Sequence, residues 1–248
     1  MLISAGAVYG LASTSAFGFE RLQIDGATIT PDADIRSTLD LTSGVNLFRV
    51  TTDPLEARLL AIPAIARADV SIGLPGTVSV RVEERVPLLI WQVGSHRYLV
   101  DEGGLLFAET TAEPPAALGP LRTIADSRAA SKSFKTGSIV DPVDLDVARR
   151  LASLTPSDVG SAASGLRVTV SDQNGFAIHS VPSSWHAVFG FYGRSLRTPE
   201  LVPGQVQLLG RLLARAGEPT VEVVILADDR DGTYIPKATP VPSPTPAP

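Results

Sequence analysis

TVSVRVEERVPLLIWQV, residues 77–93, contains a change of pattern that divides the chain in two. Val78, Val80 and Val82 alternate with Ser79, Arg81 and Glu83, the period of a strand with one buried face. The alternation stops at Glu84-Arg85-Val86-Pro87, and a continuous apolar run, Leu88-Leu89-Ile90-Trp91, follows. Pro87 has no N–H to give to a ladder, so it does not belong inside a central strand. One sheet is expected to end here and a second to begin.

Upstream of this seam, residues 19–86 read as β-α-α-β-β. Phe19, Leu22 and Ile24 form an imperfect strand ending in the turn dipeptide Asp25-Gly26. Thr30-Pro31 predicts a helix start with the hydroxyl as N-cap and Pro31 at the first position, and Ile35 and Leu39 on its buried face. Asp53-Pro54-Leu55-Glu56 predicts a second start, with Asp53 as cap and Glu56 reaching back; Leu55, Leu59 and Ile62 supply the stripe and Pro63 stops it. Val70 and Ile72 lead into the Pro75-Gly76 turn, and the strand of residues 77–83 returns.

Downstream, strand and turn dominate. Strands are expected at Leu88–Val93, Arg97–Val100 and Leu105–Ala108, with a hairpin turn at Asp101-Glu102-Gly103-Gly104. Residues 112–137 read as loops around one strand near Leu121–Ile124. A helix capped by Asp141-Pro142 carries Val143, Val147, Leu151 and Leu154. Leu166–Val170 and Phe176–His179 form a hairpin across Asn174-Gly175. Trp185–Phe191 is another strand, Val206–Leu213 a helix ended by Gly217, and Val221–Leu226 the last strong strand, expected to be buried on both faces near its end. From Pro236 the chain is proline-rich, which favours an extended terminus or spacer without a core.

Composition narrows the function. Apolar residues make up 44% of the 248 and charged residues 19%, an ordinary globular balance. The net charge of −5 and scattered basic residues give no footprint for nucleic acid. Cysteine is absent, which removes disulfides, thiolate metal sites and thiol catalysis. MLISAGAVYGLASTSAFGF carries no charge before Glu20 and falls just short of the ~20 residues needed to cross a bilayer. It reads as the outer half of a membrane anchor, as a signal peptide cut near Thr14-Ser15-Ala16, or as a buried apolar element. The first two place everything after Phe19 outside the cytoplasm.

Catalytic constellations are not apparent. His96, His179 and His186 lack partners at metal-ligand spacing and read as surface strand residues. No Gly-x-Ser-x-Gly elbow or phosphate loop occurs, and Asp101-Glu102 is the composition of a turn. Asp228-Asp229-Arg230-Asp231-Gly232 lacks the downstream Glu of a calcium loop and reads as a solvated turn. What remains is exposed sheet edges, which bind other chains by strand addition unless they are merely shielded by charge.

Several segments, in order, resemble the cell-division family FtsQ/DivIB. Phe19–Gly26 looks like the first strand of a polypeptide-transport-associated (POTRA) domain, and so does Pro63–Val70 continuing to Pro75-Gly76-Thr77-Val78. Val82-Glu83-Glu84-Arg85-Val86-Pro87 matches the family's V-x-E-R-x-P, and Leu99–Phe107 its hydrophobic-V-D-x-x-G-x-x-F. The resemblance implies an α+β protein: an anchor at 1–18, a POTRA domain at 19–86, a mixed, mainly antiparallel β-domain with two flanking helices at 87–235, and a tail at 236–248. Glu84, Arg85 and Pro87 would form the domain joint, the proline keeping the sheets apart and the charges keeping the joint solvated.

The resemblance further implies a non-enzymatic single-pass scaffold of the bacterial divisome, mostly extracytoplasmic, enriched at the septum and needing no cofactor. Its partners would be FtsB/DivIC-like and FtsL-like coiled-coil proteins, bound by strand addition, together with other divisome proteins. Through them it would help control septal peptidoglycan synthesis. Carried onto this chain, the partner site is Val221, Val223, Ile225 and Leu226, with Asp228, Arg230 and Tyr234 after them and Gln207 and Arg211 on the preceding helix. Where the family often has D-L-R, this chain has Ile225-Leu226-Ala227, which removes two polar contacts. A POTRA-bearing translocation component is the alternative, although one copy followed by a mixed β-domain does not fit it well.

Overall fold

A computed structural model describes residues 17–111, 114, 116–193 and 197–238. Most of the expected anchor and most of the proline-rich tail therefore lie outside the described residues. Those described fall into two compact units, divided between Pro87 and Leu88.

The first unit runs β1 (Arg21–Asp25), α1 (Asp32–Leu39), α2 (Thr52–Leu60), β2 (Ile65–Gly73) and β3 (Thr77–Glu84). Its sheet has the order β1-β3-β2, with β3 parallel to β1 and antiparallel to β2. Val78, Val80 and Val82 are buried with Ile35, Leu39, Leu55, Leu59 and Val70, so the alternation in the quoted stretch marks the central strand of this sheet.

Both helix starts differ from expectation. Pro31 occupies the N-cap position and α1 starts at Asp32; no side chain caps it, and the Thr30 hydroxyl is buried without a hydrogen-bond partner. Thr51 is the N-cap of α2, again without a side-chain bond. Glu56 does not reach back to its own helix end. Its carboxylate accepts the Val70 N–H at 2.9 Å, which ties α2 to β2.

The second unit is built on nine strands: β4 (Leu89–Val93), β5 (His96–Val100), β6 (Leu106–Glu109), β7 (Thr123–Asp126), β8 (Gly165–Ser171), β9 (Gly175–Val181), β10 (His186–Gly190), β11 (Val221–Leu226) and β12 (Gly232–Pro236). They form one mixed sheet in the order β12-β11-β10-β9-β8-β7-β4-β5-β6. The pairs β4/β7, β7/β8 and β10/β11 are parallel. The two helices are α3 (Pro142–Ala152) and α4 (Val202–Ala216). Asp141 caps α3 as expected, accepting from the N–H groups of Val143 and Asp144. Leu145, Ala148, Leu151, Leu209 and Leu213 pack with Trp91, Ile124, Val168 and Val224 in one core.

Register lines up one row across eight of these strands: Tyr98, Trp91, Ile124, Val168, Ile178, Ala187, Val224 and Tyr234. Directly paired residues share a sheet face, so this row is the floor of the core. Seven of its members are buried, and Tyr234, the last, is 38% exposed.

Two further expectations need correction. β11 is not buried on both faces near its end: Val224 and Leu226 face the core, while Ile225 is 41% exposed. Nor is it the last strand, because β12 pairs antiparallel along its outer side. Gly232–Pro236 is short, bounded by glycine and proline and exposed throughout, so it shows no alternation a sequence reading could detect.

Candidate functional site

Strand β12 is one edge of the nine-stranded sheet. The opposite edge, β6, is partly occupied: the Leu106 N–H donates to the Ser138 carbonyl and its C=O accepts from the Gly137 N–H. Among the described residues nothing pairs with the outer side of β12.

The backbone groups this edge offers follow from its register. The Ala227 N–H donates to the Asp231 carbonyl at 2.8 Å, which sets the phase of the β11/β12 ladder. In an antiparallel pair, residues alternate between bonding inward and turning their groups away. Thr233 and Ile235 therefore bond towards β11, and Gly232 and Tyr234 direct N–H and C=O outwards. Pro236 has no N–H, and the Lys237 N–H is spent on the Thr220 carbonyl at 2.8 Å. The open edge is thus about one strand turn long, centred on Tyr234.

The turn that presents β12 is held by Asp228, whose Oδ1 accepts the N–H groups of Arg230 and Asp231 at 2.7 and 2.6 Å. Those two bonds hold its carboxyl below the usual range. Asp228 is a turn-builder, and Arg230 stands exposed at the tip. Arg197, from the segment before α4, donates from its guanidinium to the carbonyls of Leu226 and Ala227 and lies 6.0 Å from the Tyr192 ring centre. It holds the far end of β11. Sequence reading missed it, since its partners lie 29 and 30 residues away.

Beneath the edge lies α4. Any Cβ on Gly232 would stand 3.2 Å from Leu208 Cδ2 and from Leu212 Cδ1, so helix and strand are in close contact. Gln207 and Arg211 are both exposed on the adjoining row of α4. The residue that fixes this helix is Gln205, fully buried, which accepts from the Tyr192 hydroxyl at 2.5 Å and donates to the Phe189 carbonyl at 3.3 Å. Burial, only partly offset by Arg197 and Gln205, pushes the Tyr192 phenol well up, so it remains a donor.

The expected partner residues therefore divide. Leu226 and Tyr234 share the core side with α4; Val223 and Ile225 lie on the opposite face beside His186 and Val188; Val221 is fully buried opposite Pro236. β11 lies between β10 and β12, so it has no free edge to offer.

The seam residues bind back into the first unit. Glu84 accepts three successive N–H groups, from Thr28, Ile29 and Thr30, at 2.7, 2.7 and 2.6 Å. Arg85 Nε donates to the Pro63 carbonyl at 2.9 Å. These bonds close the first unit. Pro87 is the last residue of that unit and lies outside any strand.

A cavity of about 480 Å³ is lined by Arg128, Asp144, Asp172, Phe176 and Tyr192. Its charged groups are engaged internally: Arg128 pairs with Asp126 and Asp144, and Asp172 accepts the Ala129 N–H. His179 and His186 stack at 5.2 Å across β9 and β10. His179 is half-buried, not a free surface residue, and burial, with His186 and Arg167 beside it, lowers its pKa; it bonds Thr169 at 3.0 Å. His96 lies on the surface, 2.7 Å from Glu109. Asp101 accepts from Gly103 and Leu105, as a turn residue does.

Comparison with known proteins gives this architecture its relatives. Residues 17–85 match the POTRA domain, FtsQ-type. The chain is 26% identical over 234 residues to the cell division protein FtsQ of Chloroflexus aurantiacus, covering 94% of this chain and 75% of that protein. It is 32% identical to the FtsQ of Streptomyces coelicolor over 46% of this chain and 44% of the relative. Identity to the FtsQ of Streptomyces bingchenggensis is also 32%, over 54% and 50%. The chain thus spans half or less of the Streptomyces proteins. The chain thus carries an FtsQ-type POTRA domain and is similar over nearly its whole length to a cell division protein FtsQ.

Proposed function

We propose that this chain is a non-enzymatic, single-pass membrane scaffold of the bacterial divisome whose extracytoplasmic β-domain accepts a strand from a small coiled-coil division protein at β12. The names of its relatives support the cell-division assignment. The observation that carries the binding mode is the row ending in Tyr234. Seven strands of buried side chains run to an eighth whose tyrosine is partly bare and whose outward backbone groups have no strand beside them among the described residues. An added strand would continue the row, satisfy Gly232 and Tyr234, and cover the ring. In this reading the partner is FtsB- or DivIC-like, with an FtsL-like protein beside it, and the complex helps control septal peptidoglycan synthesis.

Two substitutions at one position separate backbone from side chain. Tyr234→Pro removes one outward N–H, and Tyr234→Ala removes only the ring. With detergent-solubilised full chain as bait against membrane extract, wild type should capture a small single-span coiled-coil protein. Tyr234→Ala should weaken capture by about tenfold, equivalent to ~1.4 kcal/mol, and Tyr234→Pro should abolish it while the fold, read by circular dichroism, stays intact. Undiminished capture by Tyr234→Pro would move the site away from β12. Recovery of unfolded outer-membrane polypeptides would favour the translocation reading.

A further inference from the structure

Five large apolar side chains of the first unit are exposed: Val45, Phe48, Leu60, Leu74 and Val86. Three of them gather where the chain enters the unit. The Phe19 N–H donates to the Val45 carbonyl, Gly18 bridges Asn46, and the Phe17 ring meets the Phe48 ring edge-on at 5.0 Å. The N–H groups of Glu20 and Arg21 both donate to Gly76, which brings the β2–β3 turn and Leu74 to the same end. Val86 lies beyond the other end of β3, and Leu60 closes α2 just ahead of Ile65, which pairs with Glu84 at that far end.

The near end is also free of charge over long stretches. Leu41 to Phe48 contains no charged residue, and neither does the chain from Met1 to Phe19. Asp40 and Arg49 flank the first stretch and Glu20 and Arg21 follow the second, and within each pair the charges offset, so attraction here is apolar and not electrostatic.

We propose that this end of the POTRA unit — Phe17, Val45, Phe48 and Leu74 — rests in the interfacial layer of the lipid bilayer. The inference rests on the reading of the N-terminal segment as a membrane anchor. If residues 1–16 lie in the bilayer, Phe17 follows directly, and a chain reaches at most ~3.5 Å per residue. The unit therefore has little freedom to hold this end away from the headgroups. Aromatic and aliphatic side chains clustered without charges are what the interfacial layer accepts, to a depth of roughly 5–10 Å. In water the same patch exposes Val45, Phe48 and Leu74 at 38%, 49% and 52%. Seating it would fix the unit's orientation on the membrane.

The absence of cysteine allows a direct test, because single cysteines introduced at Val45, Leu74 or Leu60 can each carry an environment-sensitive nitrobenzoxadiazole probe. The full chain is reconstituted into phosphatidylcholine vesicles, with and without lipid bearing a nitroxide near the headgroup, and floated. Probes at 45 and 74 should emit blue-shifted and lose most of their intensity to the nitroxide; the probe at 60 should emit as in water. Adding Phe48→Ser to Val45→Cys should return that probe to water-like emission, which separates the patch's own affinity from the label's. Chain that floats with water-like emission at 45 and 74 overturns the inference and leaves the anchor standing. Chain that stays with the soluble fraction overturns both.

Discussion

Glu84 stands at the end of β3, and its carboxylate accepts N–H groups from residues 54 to 56 positions earlier in the chain. Three successive amides pointing into one carboxylate form an anion-binding nest, here filled by the chain itself. These amides lie ahead of α1, so the carboxylate fixes the loop that leads into the helix and does not cap the helix itself. Glu84→Ala would strand three amides in a half-buried loop, at a cost of about 1–3 kcal/mol. Calorimetry should show the first unit melting several degrees lower; an unchanged melting temperature would mean that water replaces the carboxylate without loss. Nothing in the sequence shows this role. V-x-E-R-x-P is legible as a pattern, but the partners of its Glu come from a loop that only the tertiary fold brings near. Arg197 and Gln205 were hidden for the same reason, whereas Asp141 was readable because its partners are two and three residues on.

At the scale of elements, α4 and the β11–β12 turn touch where Gly204 faces Asp229. A Cβ on Gly204 would stand 2.5 Å from Asp229 Cβ, an atom tied closely to the backbone. Two effects compete in Gly204→Ala. Helix propensity favours alanine by about 1 kcal/mol, and overpacking opposes it by roughly 1–3 kcal/mol. The clash lies near the main chain, so the second effect should win. We expect a lower melting temperature and faster amide exchange across residues 227–232, with partner capture weakened because the edge is displaced. A higher melting temperature would show the turn moving aside freely. The elements themselves illustrate what pattern can and cannot reveal. Val78, Val80 and Val82 announced β3 because one face is buried and the other is not. β12 announced nothing, because a short edge strand exposed throughout has no buried face to give it a period. The strand on which the proposed binding mode rests was thus the one least visible in sequence.

For the whole molecule, the question is where the fold ends. Proline density from Pro236 onward suggested a terminus without core contacts, yet Lys237 is fastened at three points. Its N–H donates to the Thr220 carbonyl, and its Nζ donates to the Ser184 hydroxyl and the Pro219 carbonyl, each at 2.8–2.9 Å. Lys237 also helps hold the Glu218 carboxyl below its ordinary range, although the larger effects there are burial working against it and bonds from Ala162, Ser161 and Trp185. These contacts tie the end of β12 to the segments before β10 and β11, so Lys237 acts as the clasp of the open edge. Chains ending at Ala238 and at Pro236 should behave differently. The first keeps every one of these bonds and should match the full chain in melting temperature and in partner capture. The second loses them, lets Pro236 lift from the fully buried Val221 opposite it, and should cost about 1–3 kcal/mol of stability. Its β12 should fray from the C-terminal side, so capture should fall further than stability does. Equal behaviour of the two chains would place the end of the fold before Lys237 and leave β12 held by its ladder with β11 and by the Asp228 turn.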